Sequence, residues 1–247
     1  MNSGQENRPR AVVCLSGGMD STVCATLAAR GYESYGLHVS YGQRTEAREL
    51  ASARAVAKAV GLRELLELKT DLFRRIGGSA LTDAAIPVPE AGDTEQSSQR
   101  TGSDVPVTYV PFRNAHFLSA AVSWAEVLGA TTVFIGAVEQ DSSGYPDCRP
   151  AYYEAFNQLI RTGTKDGEIA VVTPLIRLRK SEIVRLGVEL GAPLHVSWSC
   201  YSGETEACGV CESCVLRLRA FAEAGTVDTI AYAQPKLSAP TGTIEAL

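Results

Sequence analysis

Residues 11–22 read AVVCLSGGMDST, an apolar run that breaks at Ser-Gly-Gly and resumes as helix-forming sequence. Five consecutive apolar residues, Ala11, Val12, Val13, Cys14 and Leu15, predict a short strand buried on both faces, as a parallel sheet requires. From Asp20 the segment DSTVCATLAARG (20–31) puts Val23, Leu27 and neighbouring alanines on one helical face, and Gly31 is a natural stop.

The pattern then repeats outward. A strand is expected over 34–40, where Tyr35, Leu37 and Val39 alternate. A charge-laced, Ala-rich helix is expected over 45–60, closed by Gly61, and a third strand over 65–68. The order β-α-β-α-β predicts a parallel sheet wrapped by helices. Residues 77–107 lose this periodicity, and AGDTEQSSQRTGSD (91–104) reads as a mobile surface loop or active-site flap. Regular elements resume with a helix over 114–128, a strand over 131–137, a helix over 152–161 and a strand over 170–172. A helix over 180–190 stopped by Gly191 and a last helix over 211–224 follow. No internal repeat and no interdomain linker interrupts them.

A chain of 247 residues with 45% hydrophobic side chains has enough apolar mass for one large α/β domain with a small appendage. Its formal charge of −5 offers no global basic field for nucleic acid or an anionic membrane. The opening MNSGQENRPR lacks the apolar stretch of a signal peptide, and no apolar run approaches the ~18 residues that span a bilayer. A cytoplasmic protein is expected, in a compartment where disulfides are disfavoured.

Seven cysteines therefore call for another explanation. Cys14 and Cys24 sit in apolar surroundings and read as core residues; Cys148 is isolated. Cys200, Cys208, Cys211 and Cys214 are a set, with two-residue spacings that let a tight turn aim successive sulfurs at one ion. Four thiolates without histidine suit one closed structural Zn2+ per chain; an iron–sulfur cluster is the alternative that four cysteines also satisfy.

The Ser-Gly-Gly turn has its own chemistry. Consecutive glycines let backbone N–H groups approach an anion, and the following helix adds the positive end of its dipole. Leu15, Ser16, Gly17, Gly18, Met19, Asp20, Ser21 and Thr22 thus form a candidate phosphate loop, with hydroxyls at Ser16, Ser21 and Thr22. Asp20 would repel phosphate directly, so it is assigned to capping the helix or holding Mg2+. A bare Ser-Gly-Gly is equally an ordinary βα turn. The full string is more specific, and it is neither a Walker A loop nor a GxGxxG fingerprint. It resembles the SGGxDS signature of PP-loop ATP pyrophosphatases, which cleave ATP between the α- and β-phosphates to adenylate a carboxylate or carbonyl oxygen.

Further strings extend the resemblance. YGQRTEAREL (41–50), IGGSALTD (76–83), VPVTYVPFRNAHFLSAA (105–121), GYPDCRP (144–150), TPLIRLRKSEIVRLG (173–187) and WSCYSGETEACGVCESCVLRLRAF (198–221) occur in order over nearly the whole chain. Together with the loop they resemble the QueC family of queuosine and deazapurine biosynthesis. That resemblance implies a three-layer, Rossmann-like α/β fold, with a PP-loop ATP-binding domain at 1–195. A zinc-binding region at 196–247 would pack on it as one compact unit. It implies ATP-dependent conversion of 7-carboxy-7-deazaguanine and ammonia to 7-cyano-7-deazaguanine, through activated carboxylate and amide. It also implies small-molecule partners and allows a homodimer.

Arg113, at an expected helix start after Pro111-Phe112, and Lys180, by resemblance, join Ser16 and Asp20 as catalytic candidates, both as phosphate clamps, with a surface ion pair as the alternative for either. Asp141, Tyr145 and Asp147 are the substrate candidates. They follow a strand, where open α/β sheets bind ligands; a carboxylate could accept from a guanine-like edge and Tyr145 could stack. A solvated Gly-Pro turn is the alternative. Phe112 departs from the smaller residue the family often carries there. Two other readings stay open: the same activation spent on another amine, such as a protein's, or a tRNA-modifying PP-loop enzyme, which the acidic charge argues against.

Overall fold

The computed structural model of the chain describes residues 8–92, 105–139 and 144–234. Asp141 and most of the 91–104 segment lie outside the described residues.

Five parallel strands form one sheet: β1 Arg10–Cys14, β2 Glu33–Ser40, β3 Leu65–Lys69, β4 Thr132–Ile135 and β5 Ala170–Val172, in the order β3-β2-β1-β4-β5. β1 is central, which is why its run from Ala11 is apolar on both sides. Ala11, Val13 and Leu15 pack with α1 (Met19–Gly31), α2 (Glu46–Val60), α6 (Lys180–Leu190) and α7 (Glu212–Ala224). Val12 and Cys14 face the other way, against α4 (Arg113–Leu128) and α5 (Pro150–Gly163). The three-layer expectation holds. Cys14 and Cys24 are buried, as expected of core thiols.

Several boundaries differ from the sequence reading. A single helical turn, α3 (Leu72–Ile76), is too short to carry a periodic signal; it forms around Phe73, which is buried between Tyr41 and Phe117. β4 is shorter than 131–137 because the chain leaves the sheet at Gly136 to pass the start of α1. A Cβ on Gly136 would lie 2.8 Å from the Asp20 carbonyl. α5 begins earlier, at Pro150, a residue suited to the first turn of a helix.

The sheet's outer edge at β5 is closed by a side chain. The Asn157 amide donates to the Val171 carbonyl at 3.0 Å and accepts from its N–H at 2.7 Å. Arg217 of α7 and Asp228 form a bidentate pair at 2.6 and 3.0 Å, with side-chain exposures of 2% and 3%. Ser197, the Leu194 carbonyl and Tyr232 take up the remaining hydrogen-bonding capacity around the pair, so its burial leaves few orphaned groups.

Candidate active site and cysteine centre

In this strand order the chain runs from β1 outward through β2 to β3, then returns to place β4 on the other side of β1. The carboxyl ends of β1 and β4 therefore part at a topological switch point, where open α/β sheets bind ligands. The loops after both strands line a cavity of about 290 Å³ there.

The glycine loop forms its floor. Gly17 has φ +89°, and a Cβ there would sit 2.6 Å from the Glu49 carbonyl, so α2 can approach the loop only because this residue is glycine. Ser16 Oγ accepts from the Gly18 N–H at 3.2 Å and donates to Ser21 Oγ at 3.0 Å. Ser21 and Thr22 both turn their hydroxyls onto the Gly18 carbonyl at 2.9 Å. Leu15, Ser16, Gly18, Met19, Asp20 and Ser21 line the cavity, whereas Gly17 and fully buried Thr22 stand behind it.

Asp20 does not cap α1. Gly18 occupies the N-cap position without a side-chain cap, and Asp20, in the first turn, instead pairs with Lys180. Lys180 opens α6, whose start is fixed by Glu182 accepting from the Arg179 N–H at 2.7 Å. Two helix N-termini thus face one cavity with a carboxylate and an ammonium between them, an arrangement that favours anions. Asp20 Oδ1 is buried without a hydrogen-bond partner.

Arg113 opens α4 and donates to Tyr41 Oη at 2.9 Å, stacked over the Tyr41 and Phe117 rings. Phe112, immediately before it, is exposed and holds a left-handed φ of 57°, strained for a side chain of this size. Tyr145 lines the cavity and donates to Thr108 Oγ1 at 2.9 Å. Asp147 is absent from the cavity wall. Its carboxylate accepts from the Asn114 N–H at 3.2 Å, so it serves the first turn of α4. Burial pushes the Asp147 carboxyl above the ordinary aspartate range, against the opposing pull of Arg113 and that N–H.

Among the described residues, then, the structure brings Ser16, Asp20, Arg113, Lys180 and Tyr145 to one cavity. Sequence reasoning assigned no role to Tyr41, Glu49, Trp198, Tyr201 or Arg217, which also line it. The strings YGQR and WSCY marked their neighbourhood without indicating what they touch.

The cysteine region supplies much of the remaining wall. The Sγ atoms of Cys200, Cys208, Cys211 and Cys214 lie within 4.8 Å of one another, a set able to hold a metal ion. Gly203 and Cys208 donate backbone N–H bonds to Cys200 Sγ at 3.1 and 3.2 Å, and Cys211 donates one to Cys208 Sγ at 3.3 Å. Hydrogen bonds from Cys211 and Cys214, joined by these N–H groups, hold the Cys200 thiol far below the ordinary range. Trp198 and Tyr201 flank Cys200 on the cavity side, and Arg48 lies over the Trp198 ring at 4.4 Å. Thr45 Oγ1 lies 3.2 Å from the Cys200 carbonyl and shares its single proton between that oxygen and Glu49 at 2.8 Å.

A parallel sheet, a strand–Ser-Gly-Gly–helix loop at its switch point and an acid–lysine pair across two helix starts define an α/β protein of the PP-loop class. The chain belongs to the QueC family: the family model described as "Queuosine biosynthesis protein QueC" matches residues 10–225. A relative from Acidobacterium capsulatum, named 7-cyano-7-deazaguanine synthase, is 73% identical over 92% of this chain and 97% of its own. Relatives of the same name from Koribacter versatilis and Chlorobium phaeobacteroides are 65% and 55% identical, over 93% and 91% of this chain and 95% and 97% of theirs. No helix among the described residues is long and apolar enough to cross a membrane.

Proposed function

We propose that the protein uses ATP to convert 7-carboxy-7-deazaguanine and ammonia into 7-cyano-7-deazaguanine. The observation that carries this reading is the meeting of Ser16, Asp20, Lys180 and Arg113 in one cavity, in a chain whose relatives bear that enzyme's name.

A carboxylate resists ammonia until its oxygen becomes a good leaving group. The acid's oxygen attacks the α-phosphorus of ATP and pyrophosphate departs. Ammonia then displaces AMP to give the amide. A second ATP adenylates the amide oxygen, and loss of AMP with the nitrogen's remaining proton leaves the nitrile. The chain's part is positioning and charge. The N–H groups at the starts of α1 and α6 receive phosphate, and Lys180 and Arg113 supply fixed cations. Asp20, with one oxygen still unpartnered, is the group that would hold Mg2+, which neutralises phosphate charge when bound. Tyr145 offers a ring face for the deazapurine. Asp147 acts on this reading by holding α4, and with it Arg113, in place.

The four cysteines suit structural Zn2+: bonds of about 2.3 Å place tetrahedral sulfurs roughly 3.8 Å apart, and Cys208 and Cys214 already stand at 3.9 Å. All seven thiols are free, which fits the cytoplasm.

The test is incubation with the carboxylic acid, ammonium and ATP, followed by mass spectrometry. The nitrile is the expected product. A stable amide, or transfer of the ring to an added amine or protein, would replace this reading.

A further inference from the structure

A deazapurine ring needs a group that recognises its edge, and Asp147 is occupied at the start of α4. Among the described residues only two carboxylates line the cavity, Asp20 and Glu49, and Asp20 is paired with Lys180.

Glu49 is differently placed. It projects from α2, whose backbone abuts Gly17, and partly faces the cavity. Thr45 Oγ1 donates to its Oε1 at 2.8 Å and Gln43 Nε2 donates to its Oε2 at 3.0 Å. Each oxygen is thereby aimed by one neutral donor and keeps capacity for another bond. Gln43 is itself fixed, its Oε1 accepting from the Tyr41 N–H at 2.8 Å. Among the described residues no salt bridge neutralises Glu49. Burial pushes its carboxyl above the ordinary range, opposed by Thr45, Gln43 and the nearby charge of Arg113. Such a group gains most from a ligand that brings its own N–H donors. Tyr41, Phe117, Tyr145 and Tyr201 line the same cavity, a surrounding suited to a flat ring.

We infer that Glu49 is the specificity-determining residue for the heterocycle: its two oxygens accept the ring N–H and the exocyclic amino group of a guanine-type edge. This rests on the proposed function for the ring's identity, and it assigns the recognition to α2 rather than to Asp147. A site built to accept from an amino group rejects an analogue lacking it, because a desolvated carboxylate oxygen is then left with a single neutral donor.

The experiment is calorimetric binding of 7-carboxy-7-deazaguanine and its 2-desamino analogue to the full chain, with a non-hydrolysable ATP analogue titrated separately. Wild type should prefer the 2-amino ring by about tenfold or more, the value of one charge-assisted hydrogen bond. In Glu49→Gln, which keeps the size but turns an amide toward the ligand, the preference should fall to about twofold or less, with ATP-analogue affinity unchanged. Glu49→Asp, which withdraws the carboxylate, should lose part of the preference and is the variant to use if Glu49→Gln does not fold. A preference unchanged in both variants, or a loss of ATP-analogue affinity in parallel with the ring's, would overturn the assignment. Discrimination by wild type that the Glu49 variants lose, without nitrile formation, would retire the proposed reaction while supporting Glu49.

Discussion

The Trp198 N–H donates to the Gly17 carbonyl at 2.8 Å, joining the glycine loop to the segment that carries Cys200 two residues later. The cysteine centre is thus a brace for the loop as well as a closure for its own region. Thr45 adds a second tie from the start of α2 to the Cys200 carbonyl.

Stripping metal from the cysteines should therefore weaken nucleotide binding at a distance. After treatment with a strong chelator, ATP-analogue affinity should drop about tenfold or more, with a lower thermal midpoint. Calorimetry on stripped and zinc-reloaded protein checks both. Stripped protein that binds the analogue as well as before would separate the two sites.

Lys180→Ala removes a cation from the cavity and leaves Asp20 unpaired. Turnover, followed as pyrophosphate release, should fall by about 100-fold or more, with the circular dichroism spectrum retained. The Asp20→Ala/Lys180→Ala double variant should lose far less than the product of the single effects, since the two side chains act on each other. Wild-type turnover in Lys180→Ala would remove it from the phosphate site.

Gly136→Ala should destabilise the fold by about 1–3 kcal/mol, because its Cβ would meet the Asp20 backbone at 2.8 Å. Gly31→Ala, at the end of α1 with nothing within 4 Å of its Cβ, should be neutral or slightly stabilising. Urea midpoints of the two variants give the comparison. Equal midpoints would mean that β4 can move away from α1 freely.

Asp147 links stability to pH. Its folded carboxyl titrates above the ordinary aspartate value of 3.8. Its contribution is therefore fully present below 3.8 and is lost as pH rises through the higher folded value. Asp147→Asn removes that dependence, so the stability difference should shift in the variant's favour as pH climbs from 3.8 and then level off. Chemical denaturation across this range measures it. A pH-independent difference would show that burial does not govern this carboxyl.

The parts legible in the sequence were those coded by adjacent residues. β1, its glycine turn and α1 announce themselves because apolar run, turn and helix face follow one another within a few positions. Cys208, Cys211 and Cys214 do so through spacing alone. Glu49, Trp198 and Arg217 gave no such signal, since an acid, an indole or a guanidinium inside a helix or loop reads the same whether it meets solvent or a cavity. Their meaning comes from contacts such as Thr45 to Cys200, separated by 155 positions. Ser21 and Thr22 illustrate the converse: their hydroxyls looked available for phosphate, but local geometry turns both onto the Gly18 carbonyl.

The Asn157 amide on Val171 carries a consequence for how copies of this chain can meet. An edge strand offers unsatisfied backbone groups on which a neighbour's strand can template itself. Here a side chain imitates that neighbour and fills the place from within the same molecule. Sheet continuation across β5 is thereby disfavoured at Val171, and association through that flank has to proceed by side-chain packing. Asn157→Ala would reopen the edge, converting a discreet internal mimic into an invitation to fibrous growth.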